Sequence, residues 1–279
     1  MKKSLTIIVI VVTAVAFGFA VYIGVRRARG VPVTIPDGER PRLEIPRMTH
    51  EIDFSEGINL DFWNTLEHLQ VDLVYQLMVL PWPKKVVPFL RVKSFHNGED
   101  IYFFLEWQDQ TEDTSMDIGA FSDAAAVMFP LDEKAPASTL MMGFMGQANI
   151  WQWKASRDRE FWTGQKEERT AYVDFYYPFE EQELFVVSKD TVSSAARDLI
   201  SARVGTLTEK TIQPIKGRGS YENGVWRIVL RRSMTTAESR TDVQFGQALN
   251  ICAFAVWNGS SGDRGGRKSI SNWVELWIR

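Results

Sequence analysis

Short runs of alternating apolar and polar residues, separated by turn sequences, dominate the chain after about residue 70. Residues 71–79 alternate at period two, which is typical of a strand with one buried face. Asn97-Gly98 and Asn223-Gly224 each lie between two apolar runs, and this is a strong hairpin signal. Similar patterns predict further strands at residues 86–95, 101–107, 124–129, 149–153, 171–177, 226–232, 249–257 and 271–278.

Helical patterns are sparse. Residues 156–162 predict a short helix, and residues 192–204 are the better helical candidate, because Ser193 or Ser194 could cap an alanine-rich body. Many strands and few helices predict an all-β dominated fold, an antiparallel β-sandwich with a few short helices.

The first residues follow a different pattern. Residues 4–25 carry no charge and lie between two pairs of basic residues. An α-helix rises ~1.5 Å per residue, so this run would span ~30 Å, about one bilayer hydrocarbon core. We therefore expect one N-terminal transmembrane helix, an anchor within residues 1–29. A cleaved signal peptide is the alternative, but its apolar region is normally ~7–15 residues long. The flanking basic residues are nearly balanced, so the positive-inside rule does not choose an orientation.

Prolines at four positions mark the next segment. They fix φ and disfavour a helix in the residue before them, so we expect residues 30–50 to be an extended, proline-rich tether. The remaining residues, 51–279, are long enough for one large domain and contain no second linker.

Composition excludes several classes of function. The net charge of −3, with acids and bases interspersed, argues against a nucleic-acid-binding surface. The single cysteine, Cys252, excludes an intrachain disulfide and a cysteine-based cluster or zinc site, and the sequence has no C-x-x-C-H haem-attachment motif. No catalytic nucleophile, phosphate-loop, HExxH or dinucleotide motif is present, so a catalytic function is weakly supported.

Two loops have unusual compositions. Residues 139–146 contain three methionines among glycines, although filling gaps in a core is the commoner role of methionine. Residues 257–271 are polar and glycine-rich, and a lysine there, Lys268, would ordinarily be solvated because burying an ammonium group is costly.

Six segments in and beside these loops form an ordered set. They are Phe121-Ser-Asp-Ala-Ala-Ala-Val-Met-Phe-Pro130, Met141-Met-Gly143, Asn149-Ile-Trp-Gln-Trp-Lys154, Gly224-Val-Trp-Arg-Ile-Val-Leu-Arg-Arg232, Ala253-Phe-Ala-Val-Trp-Asn-Gly-Ser260 and Arg267-Lys-Ser-Ile-Ser-Asn-Trp273. In order and spacing they resemble the haem-binding γ subunits of the ethylbenzene dehydrogenase and dimethylsulfide dehydrogenase family, which has selenate, chlorate and nitrite-oxidising relatives. The resemblance covers roughly residues 71–279, and residues 30–70 have no clear counterpart.

The resemblance implies a β-sandwich that holds one non-covalent b-type haem between a methionine and a lysine. By motif the lysine is Lys268 and the methionine is Met142, with Met141 in reserve and Met145 and Met128 ranked lower. A thioether ligand tends to raise the reduction potential, and lysine can bind iron only as the neutral amine. The candidate haem-pocket residues are Trp151, Trp153, Trp257, Arg231, Arg264 and Arg267. For the three tryptophans, packing in the core is the alternative role.

The function implied by the resemblance is electron transfer, and this chain would not itself be an enzyme. A molybdopterin α subunit would perform catalysis, an iron–sulfur β subunit would relay electrons, and the haem would exchange them with a cytochrome or another carrier. The family's location outside the cytoplasmic membrane implies a single-pass membrane protein with its domain on the periplasmic or exoplasmic side. Many relatives instead have a cleaved signal and a soluble product. Two alternatives remain: a haem-free ligand-binding sandwich resembling a carbohydrate-binding module, and a structural anchor subunit.

Overall fold

Fourteen strands and two short helices build the part of the chain that the computed structural model describes, which is residues 40–77, 82, 85–117, 119–131, 145–165, 192–203, 206–246 and 251–279. The helices are α1 (Leu60–Trp63) and α2 (Ala155–Thr163). The strands are β1 (Arg42–Ile45), β2 (Leu69–Asp72), β3 (Val74–Tyr75), β4 (Phe89–His96), β5 (Asp100–Gln108), β6 (Ala124–Pro130), β7 (Met145–Lys154), β8 (Ala196–Arg203), β9 (Thr208–Glu209), β10 (Lys216–Glu222), β11 (Val225–Ser233), β12 (Ile251–Trp257), β13 (Ser269–Ile270) and β14 (Val274–Ile278).

The described strands form two sheets. The large sheet has nine strands in the order β1-β14-β12-β6-β7-β8-β9, with β13 beside β12 and β3 beside β13. The small sheet has five, in the order β10-β11-β5-β4-β2. The strand pairs are antiparallel, except that β1 runs parallel to β14. The prediction of a β-dominated fold with few helices is confirmed, and the two sheets have the layout of a sandwich.

The main core lies between the two sheets. Alternate residues of a strand point to opposite faces, so β6, β7 and β12 each contribute every second side chain to this core. Large aromatic rings fill it: Trp107 and Trp153 are almost fully buried, and the ring centroids of Trp153 and Trp226 lie 5.0 Å apart in an edge-to-face arrangement. A second cluster covers the outer face of the small sheet, where α1 and the segment before it pack on β4, β5 and β11.

Both predicted hairpin turns are confirmed. The β10–β11 register pairs Glu222 with Val225, leaving Asn223-Gly224 as a two-residue loop. Both loop residues have positive φ, 52° and 76°, which is the backbone conformation that favours asparagine and glycine in such turns. The β4–β5 turn contains Gly98, whose φ is 102°. The short helix predicted at 156–162 is also confirmed, as α2.

The prediction of a helix at residues 192–204 is wrong. This segment forms β8, which pairs with β7 on one side and with β9 on the other. Ala196 and Leu199 are buried within it, so the burial gained by joining the sheet outweighs the helical propensity of alanine. The alternating run at 71–79 divides after β2, because β2 joins the small sheet and β3 the large one.

The folded domain starts earlier than residue 51. Residues 40–279 cluster as one unit, and β1 lies inside the segment that the prolines mark as a tether. Leu43 and Ile45 of β1 are buried, which explains why this short strand adds to the edge of the large sheet.

Several predictions fall on residues that lie outside the described ranges. They are the N-terminal helix within residues 1–29, the tether up to residue 39, the strand at 171–177, and the candidate ligands Met141 and Met142. Within the described ranges, no helix has the length and apolar character that crossing a bilayer requires.

Candidate cofactor site on the outer face of the large sheet

The face of the large sheet that points away from the main core carries a patch of small apolar side chains. On β6 and β12, Ala126 pairs with Ala255 and Ala124 pairs with Trp257. Directly paired residues lie on the same face of a sheet, so these side chains form one surface. We call this surface the alanine platform, and its members are Ala124, Ala126, Met128, Ile150, Ala253, Ala255 and Trp257.

The centre of the platform consists of alanine methyl groups. The residues between these alanines on β6 and β12, such as Ala125 and Val256, point the other way into the main core. Ile270 and Trp273 pack on the same outer face. Ala124 and Ala126 are 2% exposed and Ala253 is 4% exposed, so this apolar floor is buried within the domain. Small side chains at these positions are compatible with a flat, ring-shaped cofactor.

Lys268 lies at the edge of the platform, in the segment between β12 and β13. Its amine nitrogen is 4.8 Å from the centroid of the Trp257 ring, a cation–π distance. Its backbone oxygen accepts a hydrogen bond of 3.3 Å from the Gln76 N–H, which fixes the chain beside β3. The position of this lysine therefore follows from the pairing of β3, β12 and β13.

The electrostatic environment of Lys268 is unusual. Burial lowers the pKa of its amine to about 8, because removal from water disfavours the charged form. Among the described residues, no carboxylate lies within ion-pair distance of this amine, whereas buried lysines are normally paired. An amine in this environment exchanges its proton near neutral pH and can then donate its lone pair to a metal.

Two arginines lie in the same segment as Lys268. The Arg264 guanidinium lies 4.6 Å from the Phe121 ring, and Arg267 donates to the Ser261 carbonyl at 3.1 Å. The backbones of these two arginines pair with each other in a tight turn directly before Lys268. The structure thus brings Arg264, Arg267 and Lys268 together with Trp257.

Three other candidate residues lie elsewhere. Trp151 and Trp153 belong to the main core, on the opposite face of the large sheet from the platform. Arg231 pairs with Asp100 at 2.6 Å and with Glu51 at 2.9 Å on the outer face of the small sheet. The structure does not bring these three side chains together with Lys268.

Sequence reasoning missed the alanine platform. Its signal was present, since alanine recurs at every second position in residues 124–126 and 253–255. It also ranked Met128 low, although this thioether lies half-buried on the platform face, opposite Ala253. Within the described ranges, no group of three or more histidine, cysteine or acidic side chains could hold a metal ion.

Comparison with known proteins identifies the family. The family model described as ethylbenzene dehydrogenase matches residues 60–269, three quarters of the chain. The chain belongs to the ethylbenzene dehydrogenase family.

Three proteins similar to this chain carry the names of reductase or dehydrogenase subunits. A Haloferax mediterranei protein, provisionally named respiratory nitrate reductase heme subunit ORF7, is 28% identical over 85% of this chain and 74% of its own length. Dimethylsulfide dehydrogenase subunit gamma of Rhodovulum sulfidophilum is 26% identical, and chlorate reductase subunit gamma of Ideonella dechloratans is 24% identical. These two matches cover 66% and 63% of this chain, and each spans 58% of the relative.

Among solved structures, a family 9 carbohydrate-binding module from Caldicellulosiruptor kristjanssonii aligns with 85% of this chain and 94% of its own. Its sequence identity is 9% and its TM-score is 0.41. A likeness at this level supports no conclusion about ligands.

Proposed function

We propose that this chain is the haem-binding electron-transfer subunit of a molybdenum oxidoreductase complex, and that catalysis takes place in a partner subunit. The observation that carries the proposal is Lys268, a partly buried lysine at the edge of an apolar platform, whose amine lies 4.8 Å from the Trp257 ring and has no carboxylate partner among the described residues. Membership of the ethylbenzene dehydrogenase family and a relative named as a heme subunit support the same function.

The described residues fit a haem. The alanine platform offers a flat apolar floor for a porphyrin, and Trp257 stands at one end of it. Lys268 supplies a nitrogen donor whose lowered pKa reduces the cost of losing its proton on binding iron. When bound, haem supplies reversible one-electron transfer through its iron. The protein's part is to bind and orient the group, to keep water away from its faces and to make the amine of Lys268 easier to deprotonate.

Met142 would supply the second ligand to the haem iron, with Met141 in reserve. Both belong to the segment between β6 and β7, the strands that carry the platform residues Met128 and Ile150. Met128 is the thioether that the described residues place on the platform, so it is the alternative sulfur donor. A thioether donor would raise the reduction potential of the haem.

Arg264 and Arg267 are the candidates for contacts with the haem propionates, because they share a segment with Lys268. Arg231 is less suitable, since it lies on the small sheet, apart from Lys268, and pairs with both Asp100 and Glu51. Because the sequence has no C-x-x-C-H motif, we propose one non-covalent, b-type haem.

The partners that this function requires are an iron–sulfur β subunit, a molybdopterin α subunit and a cytochrome or similar carrier. We propose that residues 1–29 form a single-pass anchor in the cell membrane and that the domain lies on the periplasmic or exoplasmic side. The uncharged run at residues 4–25 supports the anchor.

The test is an optical spectrum with pyridine haemochrome analysis of the purified protein, made with haem available. We expect about one b-type haem per chain and a six-coordinate, low-spin spectrum. The spectrum of the Lys268→Met variant should lose the features of an amine ligand to the haem iron. Of Met142→Leu and Met128→Leu, the variant that changes the low-spin spectrum identifies the methionine that binds the iron.

The matched control is Lys93→Met. Lys93 is also partly buried, its amine lies 5.7 Å from the Phe104 ring, and burial lowers its pKa, but it is on the small sheet. Its loss should leave the haem spectrum unchanged. Protein that takes up no haem under these conditions would contradict the proposed function and would favour a haem-free, sugar-binding or structural role.

A further inference from the structure

A network of carboxylates holds the segment that leads from β12 to Lys268, residues 258–268, which we call the lysine loop. Three successive backbone N–H groups at its start each donate to a different carboxylate. Asn258 donates to Asp263 at 3.2 Å, Gly259 to Asp123 at 2.8 Å, and Ser260 to Asp113 at 2.9 Å. The Asn258 side chain adds a hydrogen bond of 2.8 Å to Asp109.

Asp123 is the centre of this network. It is fully buried, and both of its oxygens are used. One oxygen accepts from Gly259, and the other accepts from the Asp113 N–H at 2.8 Å and from the Trp226 indole N–H at 2.9 Å. Because Trp226 belongs to the main core, Asp123 connects the lysine loop directly to the most rigid part of the domain.

The lysine loop also packs closely against the segment before β6, at Gly259. A Cβ atom at Gly259 would lie 1.9 Å from the Phe121 carbonyl oxygen and 2.7 Å from Asp113 Cβ. These are contacts with backbone and with a rigid side-chain atom, so no flexible group could give way. Only glycine permits this contact, which sets the height of the loop above β6.

The network gathers like charges, and this is costly. Burial, together with the nearby Asp109 carboxylate, raises the pKa of Asp123 to about 7 and that of Asp263 to about 6. The cation that faces this cluster is Arg267, 3.6 Å from Asp263, while Arg264 lies over Phe121. Like charges oppose each other in a buried site, so this arrangement is a poor means of stabilising a fold and needs another explanation.

Asp158 shows how the same fold uses a partly buried aspartate for packing alone. It also accepts from a tryptophan indole, that of Trp153 at 2.7 Å, and from a glycine N–H, that of Gly219 at 2.9 Å. The charged group acting on it is Arg218, and no carboxylate raises its pKa. Asp158 therefore holds α2 against β10 without a cluster of acids.

We propose that Asp123 is a positioning residue, which with Asp109 and Asp113 fixes the lysine loop so that Lys268 is presented to the haem iron. This inference rests on the proposed function. The role assigned to these carboxylates is indirect. They set where the loop starts, and the turn between Arg264 and Arg267 then determines where Lys268 emerges.

The test compares Asp123→Asn with Asp158→Asn in the haem-loaded protein. An amide has one accepting oxygen, whereas Asp123 uses both of its oxygens. The asparagine would therefore lose the hydrogen bond from Gly259 if it kept those from Asp113 and Trp226. At Asp158 a single oxygen accepts both hydrogen bonds, so an asparagine can keep both.

A second pair of variants leaves the carboxylates unchanged. Gly259→Ala is compared with Gly217→Ala, where the nearest atom to a new Cβ is a leucine methyl at 3.1 Å.

We expect Asp123→Asn and Gly259→Ala to accelerate hydrogen exchange in residues 258–268 by about tenfold, the effect of losing one bond to a charged acceptor. Part of the ferric haem should become high-spin, and added imidazole should restore the low-spin spectrum. Asp158→Asn and Gly217→Ala should change neither measurement.

The inference is overturned if the low-spin spectrum of Asp123→Asn matches that of the wild type, or if both aspartate variants change it equally. Its failure is distinguishable from failure of the proposed function. If only the inference fails, the wild type still binds haem and Lys268→Met still changes the spectrum. If the proposed function fails, the wild type binds no haem.

Discussion

The Gly219→Ala variant tests whether Trp153 is a core residue or part of the haem site. A Cβ atom at position 219 would lie 2.3 Å from Cζ2 and 2.9 Å from Cε2 of Trp153. The indole cannot move away easily, because its N–H donates to Asp158 at 2.7 Å and Trp226 packs against its other side. The added methyl group therefore overpacks the core.

The expected cost follows from these contacts. Overpacking a core costs about 1–3 kcal/mol, and the gain from restricting the unfolded chain on replacing glycine offsets about 0.4–1 kcal/mol of it. We expect the free energy of unfolding, measured by urea denaturation, to fall by about 1–2 kcal/mol. Gly217→Ala on the same strand should lower the free energy of unfolding by less than Gly219→Ala, because the new Cβ would meet Leu230, Ala196 and Val229 at 3.1–3.3 Å, where shifts of a few tenths of an ångström relieve the contact.

The haem spectrum provides the second measurement. Because Trp153 lies on the opposite face of the large sheet from the platform, Gly219→Ala should leave the spectrum of the folded protein unchanged. Equal stability of the two glycine variants would contradict the packing argument. A shifted haem spectrum in Gly219→Ala alone would contradict the assignment of Trp153 to the core.

Two further predictions concern the platform and the buried acids. Ala126→Leu places a branched side chain on the floor of the platform, so haem affinity, measured by titration of the apoprotein, should fall at least about tenfold. The control, Ala125→Leu on the core face, should instead lower the free energy of unfolding by about 1–3 kcal/mol. Unchanged haem affinity in Ala126→Leu would exclude the platform as the haem site. Burial raises the pKa of Asp158 to about 7, so the native state holds a proton that the unfolded state releases near pH 4, and the stability this contributes is lost as the pH rises from about 4 through 7. The free energy of unfolding of the wild type relative to that of Asp158→Asn, measured by urea denaturation at several pH values, should therefore fall by about 2 kcal/mol between pH 5 and pH 8. A relative stability of the wild type that rises with pH would contradict this prediction.

Local patterns predicted most of the strands. Hairpins at Asn97-Gly98 and Asn223-Gly224 form because the turn chemistry and the alternation of the flanking residues both act within a few positions. The same local reasoning failed at residues 192–204, where alanine content favours a helix and only the distant partner β7 makes a strand more stable. It also did not anticipate β1, since the pairing of β1 with β14 joins segments that are far apart in the sequence.

The candidate site was only partly predictable. Lys268 came from resemblance to a family, because a lysine in a polar loop carries no local sign that its amine is buried. The alanine platform depends on the register of β6 against β12, which is a property of the folded sheet. Asp123 was not identified, although it stands in a motif of the resemblance, since its role depends on the approach of Gly259 from a segment far along the chain.

The most direct test is the position of iron in crystals of the haem-loaded protein, found from the anomalous scattering of iron. Our account predicts one iron per chain, over the platform formed by Ala126 and Ala255, with the Lys268 amine within bonding distance. Iron at any other surface of the domain, or a Lys268 amine that remains on Trp257 while other groups hold the haem, would contradict it.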